Sequence, residues 1–313
     1  MVAPDILSEL QRDFVQGKSL KTRSLVVTFF GDIVSQHGGV VWLGSVISAL
    51  AKFQVNERLV RTTVFRLVQD DWLEAHRQGR RSFYRFSKYS EQEYERAARR
   101  IYSMQSGAWS GRWQLVVPIA VDIANKEKLL RSLAWQGYRG ISTGLLAKPG
   151  DGGGELLDTL AEFNASDQVL LMTASTSDMS STELVSDLVY RSWRLDEVAD
   201  GYMEFLERYS SLRAWLNEPG QRAGITPEVA FMVRLMLIQD YRRLLLQDVP
   251  IPDELLPESW PGREAKQTAA EIYRIVAPLS VAYIRAEFQN TEGLFPADRK
   301  STRLNSSHLV ISY

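Results

Sequence analysis

The chain has no cysteine in its 313 residues and only three histidines, His37, His76 and His308. The first absence rules out disulfides, thiolate metal sites and cysteine nucleophiles, and it suits a reducing cytoplasm. The second leaves no zinc set to be assembled from His and Cys ligands, so no metal site is expected. No apolar run approaches the ~20 residues of a membrane span, and the first residues lack the basic, apolar, small-residue order of an export signal. The expectation is a cytoplasmic protein with no membrane partner. Neither sign of charge is in excess, since 37 Lys and Arg face 38 Asp and Glu for a net charge of −1. What is present is 45% hydrophobic residues over a length sufficient for two or three cores.

In a near-neutral chain, concentrated charge marks a place. Residues 77–88 carry five basic side chains and no acidic one, as expected of a surface that meets a polyanion. The segment just before them completes a device. Residues 19–37 predict an apolar helix (Leu20, Leu25, Val26, Phe29, Phe30, Ile33, Val34) ending at His37-Gly38-Gly39, and Trp42 to Phe53 predicts a second. Asn56 is placed to cap a third, with Val60, Val64, Leu67 and Val68 inward and Arg58, Arg61 and Thr62 outward. Strands at Leu73–Ala75 and Ser82–Phe86 come next, with Gly79 relieving the turn. Three helices and a basic hairpin are the plan of a winged helix-turn-helix. On that plan Arg58 and Arg61 reach guanine edges, and Arg77, Arg80 and Arg81 pair with phosphates. Arg66 lies off the main outward face, where it is in reach of Asp70 at i+4.

The fold class expected is α+β and multidomain. The winged helix occupies 19–90, and 91–180 hold a charged connecting helix (Glu91 to Gln105) and a small α/β domain. In that domain Leu115–Val121, Tyr138–Lys148 and Gln168–Ala174 are strand-like, Lys126–Gln136 and Glu155–Asn164 are helical, and Gly144 leaves room to split the middle strand, giving a ferredoxin-like order. Residues 181–297 read as a helical C-terminal domain. Thr226-Pro227-Glu228 is its strongest helix start, and Pro250, Pro252, Pro257 and Pro261 punctuate a loop before a last helix at about 265–288. Asp298-Arg-Lys-Ser-Thr-Arg-Leu-Asn-Ser-Ser-His308 resembles a translated sequencing-adapter oligonucleotide. Residues 298–313 are therefore set aside as a non-native tail that replaces the natural one.

Other patterns have simpler readings. Gly140-Ile-Ser142-Thr-Gly144 has the spacing of a hydrolase nucleophile elbow, but an elbow needs a helix after the serine and a later histidine, and neither is available. The glycines of 150–154 lack the Lys-Ser/Thr of a phosphate loop. Asp122, at a strand end where a ferredoxin-like nuclease would hold metal, is one carboxylate without a second beside it in the sequence. No catalytic residue is expected. The aromatic and basic positions Trp135, Arg191, Trp193, Arg194, Tyr241, Arg242 and Arg243 are candidates to surround an anionic aromatic ligand, against the simpler reading that the tryptophans are core and the arginines solvated.

The chain also resembles a known family. Gly38-Gly39, Trp42-Leu43-Gly44-Ser45, Glu57-Arg58-Leu59-Val60-Arg61-Thr62, Phe65-Arg66-Leu67, Trp72-Leu73 and Gly79-Arg80-Arg81-Ser82-Phe83-Tyr84 are similar to the PaaX family of repressors of phenylacetate degradation. The likeness continues through Ile101-Tyr102, Trp109, Trp113, Trp135-Gln136-Gly137, Tyr241-Arg242-Arg243, Pro252-Asp253-Glu254-Leu255-Leu256-Pro257, Trp260 and Ile272-Tyr273. It implies a regulator of double-stranded operator DNA, released by phenylacetyl-coenzyme A (phenylacetyl-CoA), with no cofactor. The expected DNA-binding set also takes in Thr62, Arg66, Tyr84 and the hairpin residue Arg85. The alternatives are a related regulator with another acyl-CoA effector, or a ferredoxin-like nuclease. A homodimer is expected on symmetry, because one helix and wing read only a short half-site.

Overall fold

The computed structural model describes residues 3–17, 21–91, 94, 109–121, 123–151, 154–176, 182–218, 220–247 and 251–295. Asp122, Ile101, Tyr102, most of the helix expected from Glu91, part of the 150–154 glycine run and the adapter-like tail lie outside them. The chain forms two compact units, one of residues 1–103, 201–246 and 261–313, the other of 104–200 and 247–260. The helical C-terminal segment is thus not a separate body, and most of it folds with the N-terminal residues.

The first unit opens with α1 (Ala3–Gln16), which lays Ile6, Leu10 and Phe14 inward at a spacing of four, Phe14 edge-on to Phe53 at 5.6 Å. The helix expected over 19–37 has three parts: α2 (Thr22–Thr28), a π turn (Phe29–Val34) and a 3-10 turn (Ser35–His37). Every residue from Leu25 to Val34 is buried, so this segment has no solvent face and needs cover all round. Gly31 permits part of that cover, since a Cβ there would run into the Tyr94 ring. Then come β1 (Val40–Trp42), α3 (Leu43–Ala51), α4 (Glu57–Gln69), β2 (Leu73–Gln78) and β3 (Arg81–Phe86). The sheet is antiparallel in the order β1-β3-β2, with Val41 opposite Tyr84 and Gln78 opposite Arg81.

The second unit holds β4 (Arg112–Pro118), α5 (Ile123–Trp135), β5 (Arg139–Ser142), β6 (Leu145–Pro149), α6 (Gly154–Glu162), β7 (Val169–Ser175) and α7 (Thr182–Ser192). Its four strands pair antiparallel in the order β5-β6-β4-β7. Val116, Leu129, Leu133, Tyr138, Leu156 and Leu160 form the core between sheet and helices. The middle strand is split at Thr143-Gly144, with Gly144 at φ 75°. Ser142 leads into a turn and a strand, as the rejection of the hydrolase elbow required. Burial pushes the Tyr138 hydroxyl up to about 12.

Helix α8 (Leu195–Asn217) crosses the division, and α9 (Pro227–Gln247) and α10 (Pro261–Glu287) come after it. Thr226 caps α9, its hydroxyl accepting from Val229 N at 3.3 Å. The last helix starts four residues earlier than expected because Pro261, assigned to the loop, stands at its first position, where a missing N–H costs nothing. These helices supply the cover that α2 and the π turn require. Phe29 meets Phe231 and Phe288 at 6.5 and 5.4 Å. Arg234 (2% exposed) bonds the buried Asp32 carboxylate at 2.7 and 3.2 Å and its carbonyl at 2.8 Å, and Tyr273 donates to the same carboxylate at 2.9 Å. At the end of α3 the Glu228 carboxylate, 2.6 Å away, holds Lys52 above its ordinary value. A short hairpin, β8 (Gln289–Asn290) with β9 (Gly293–Leu294), ends the described chain and brings Phe295 onto the His37 ring at 5.4 Å.

Candidate nucleic-acid interface

Helix α4 is set by its start. Asn56 is extended and its side chain accepts from Leu59 N at 2.9 Å, satisfying one of the free N–H groups of the first turn. Val60, Thr63, Val64 and Leu67 go inward; Val68, expected there too, is half-buried. Arg58, Arg61, Thr62 and Arg66 are exposed. So are two apolar side chains that charge and hydrogen-bonding logic passed over, Leu59 (44%) and Phe65 (62%). The signal for them was their position: Phe65 is seven residues from Arg58, two helical turns along the same face.

The basic side chains divide into held and unheld. Arg61 is held by Glu57 at 2.7 Å, Arg85 by its cross-strand partner Glu74 at 2.6 Å, and Arg81 lies 4.8 Å over the Trp42 ring while donating to Gln289 at 2.9 Å. Thr62 donates to the Arg58 carbonyl at 2.9 Å. Arg66 does not pair with Asp70 as its spacing suggested, because Arg23 takes that carboxylate. Among the described residues Arg58, Arg66, Arg77 and Arg80 form no ion pair; Arg77 only donates to the Gly79 carbonyl at 3.2 Å. Gly79 and Arg80 form the two-residue tip, with Gly79 at φ 61°. The strands extend further than expected, to Gln78 and from Arg81. The pleat then separates the wing residues: Arg77 and the half-buried Tyr84 share one face, and Arg81 and Arg85 share the other.

The candidate effector residues are divided between the two units. Trp135, Arg191 and Trp193 belong to the second unit, and Tyr241, Arg242 and Arg243 to the first. Trp193 is a core residue, 2% exposed, its indole donating to the Gly137 carbonyl at 3.1 Å and packing on Trp113 at 6.2 Å, so it offers no wall to a ligand. Arg191 pairs with Asp187 at 2.7 Å, Arg194 pairs with Glu197, and Trp135 is 68% exposed. In the first unit Tyr241 packs against Phe205 at 5.7 Å, and Arg242 donates to Thr28 of α2 at 3.3 Å. The Nε of Arg243 is buried with no hydrogen-bond partner among the described residues. A cavity of about 420 Å³ between Arg222 and Arg274 takes in none of the six.

Comparison with known proteins adds an independent line. Two family models match, PaaX-like protein over residues 21–90 and PaaX-like protein C-terminal domain over 193–286. Transcriptional repressor PaaX from Escherichia coli (strain K12) is 34% identical over 274 residues, which cover 88% of this chain and 86% of that one. Among solved structures, the uncharacterized protein Rv0674 from Mycobacterium tuberculosis has a TM-score of 0.55 at 21% identity, over 84% of this chain and 98% of that chain, a likeness of fold.

Proposed function

This chain belongs to the PaaX family, and from that premise we propose that it is a DNA-binding repressor of a phenylacetate catabolic operon, released from its operator by phenylacetyl-CoA. Residues 22–86 act as a winged helix, α4 entering the major groove and the β2–β3 hairpin lying along the adjacent backbone. The observation that carries this reading is the group of four arginines, Arg58, Arg66, Arg77 and Arg80, on that helix and hairpin with no counter-ion among the described residues, in a chain of net charge −1. The Arg61–Glu57 and Arg85–Glu74 pairs are exposed, and such pairs are worth about 0–1 kcal/mol, so phosphate or base contacts displace them readily.

The second unit is ferredoxin-like in this reading, supported by its β-α-β-β-α-β order and its strand order. Its edge strand β7 leaves Leu170, Leu171 and Met172 38–45% exposed with no charge in the strand, a self-complementary edge for a homodimer. Effector release is assigned to Arg242 and Arg243: coenzyme A phosphates need arginines, and Arg242 already touches Thr28, so drawing it to a ligand acts directly on α2. The test is titration of the protein on its own upstream DNA with phenylacetyl-CoA, free phenylacetate and other acyl-CoA thioesters. Tight binding undone by phenylacetyl-CoA alone is the expected result. Release by a different thioester reassigns the effector, and release by free phenylacetate removes the coenzyme A argument.

A further inference from the structure

Phe65 is the large apolar side chain of α4 that the core does not use. It is 62% exposed, has no aromatic partner among the described residues, and Leu59 on the same helix is 44% exposed. At about 100° per residue the outward arc of α4 reads, in order, Arg61, Phe65, Arg58, Gln69, Thr62, Arg66, Leu59. Phe65 therefore stands between Arg61 and Arg58, about 40° from the first and about 20° from the second, and Leu59 closes the arc beyond Arg66. A helix surface that only faced water would gain nothing from a phenylalanine there. One that enters a major groove would, because thymine alone among the four bases presents a methyl group, which an aromatic or aliphatic side chain can cover.

We infer that Phe65 is a specificity-determining contact of α4 and that it selects a thymine C5-methyl group in duplex DNA. The inference rests on the DNA-binding reading above, and goes beyond it by naming what is read by a residue that carries no charge or hydrogen bond. Arg61 and Arg58 flank Phe65 on this arc and are placed for polar contacts, while Phe65 supplies the apolar one.

The experiment uses the full chain and the segment of its upstream DNA that it protects, with each thymine replaced singly by deoxyuridine, which lacks only the methyl group. For the unsubstituted protein, one or two replacements should weaken binding about four-fold, the equivalent of one buried methyl. Phe65→Ala should weaken binding to the natural segment to a similar degree and no longer respond to those replacements, while responding normally to base changes elsewhere. Phe65→Leu, which keeps an apolar surface, should retain part of the response and guards against a folding defect in the alanine variant. Failure of the unsubstituted protein to bind its upstream DNA would remove the DNA-binding reading itself. Normal binding with no uracil effect, or an effect that persists unchanged in Phe65→Ala, would overturn only the thymine assignment. So would a Phe65→Ala variant that binds DNA normally but loses self-association, which would make Phe65 a subunit contact.

Discussion

The charge that matters on the hairpin belongs to individual side chains, because neighbours a few residues apart differ in whether an acid already holds them. Arg80 at the tip has no partner among the described residues, and Arg85 is paired to Glu74 across the strand. Arg80→Ala should therefore reduce the dependence of log K on log salt by about 1, whereas Arg85→Ala, whose charge is already balanced, should change it by much less. Titrations between about 50 and 200 mM salt separate the two, and equal slopes for both variants would mean that Glu74 lets go of Arg85 on the DNA. Arg61 is a different case. Its bond to Glu57 is exposed and weak beside a base contact, so Arg61→Ala should cost about 1–3 kcal/mol on operator and far less on random DNA. Equal losses on both would assign Arg61 to phosphate.

At the scale of elements, local rules were readable and long-range ones were not. The Asn56 cap, the inward face of α4, the Gly79 turn and the Thr226-Pro227 start were all legible because each depends on a few adjacent residues. Strand β1 was missed because three residues carry no periodicity, and its pairing with β3 is a tertiary fact. The period of four in Ile6, Leu10 and Phe14 was a usable signal for α1 that went unread. The π turn was hidden for another reason: what accompanies it is a carboxylate buried against an arginine 202 residues away. Of the site, the exposed arginines were legible from their spacing, as was the i,i+4 relation of Arg61 to Glu57, but the hold of Glu74 on Arg85 depended on strand register and that of Gln289 on Arg81 on a distant hairpin. The Asp32–Arg234 contact makes a strong prediction. Arg234→Met leaves a buried charge without its partner and should lower stability by about 3–5 kcal/mol, while adding Asp32→Leu should recover part of that loss. Denaturant melts of the single and double variants check this, and additive losses would exclude an energetic coupling between the two.

For the whole molecule, membership in a family that includes a transcriptional repressor, rather than any missing residue, sets the nuclease and hydrolase readings aside. On the proposed function, the switch would act within a unit in which α2 to α4 and the C-terminal helices fold together. Arg243→Ala, which leaves the Arg242–Thr28 contact in place, should bind operator with unchanged affinity and need at least several-fold more phenylacetyl-CoA for release, since an effector acts only through its differential affinity for two states. Release at the parent concentration would move the effector site elsewhere. The buried run Leu25–Val34 carries one more consequence, which concerns synthesis. Its cover is supplied by residues as distant as Phe288, about 260 positions later. At ~5–20 residues per second a ribosome needs roughly 13 to 50 s to deliver them. Throughout that interval the nascent helix exposes Phe29 to whatever chaperone or neighbouring chain is at hand. A messenger truncated before α10 would accordingly yield insoluble product, with no free-standing DNA-binding fragment to compete at the operator.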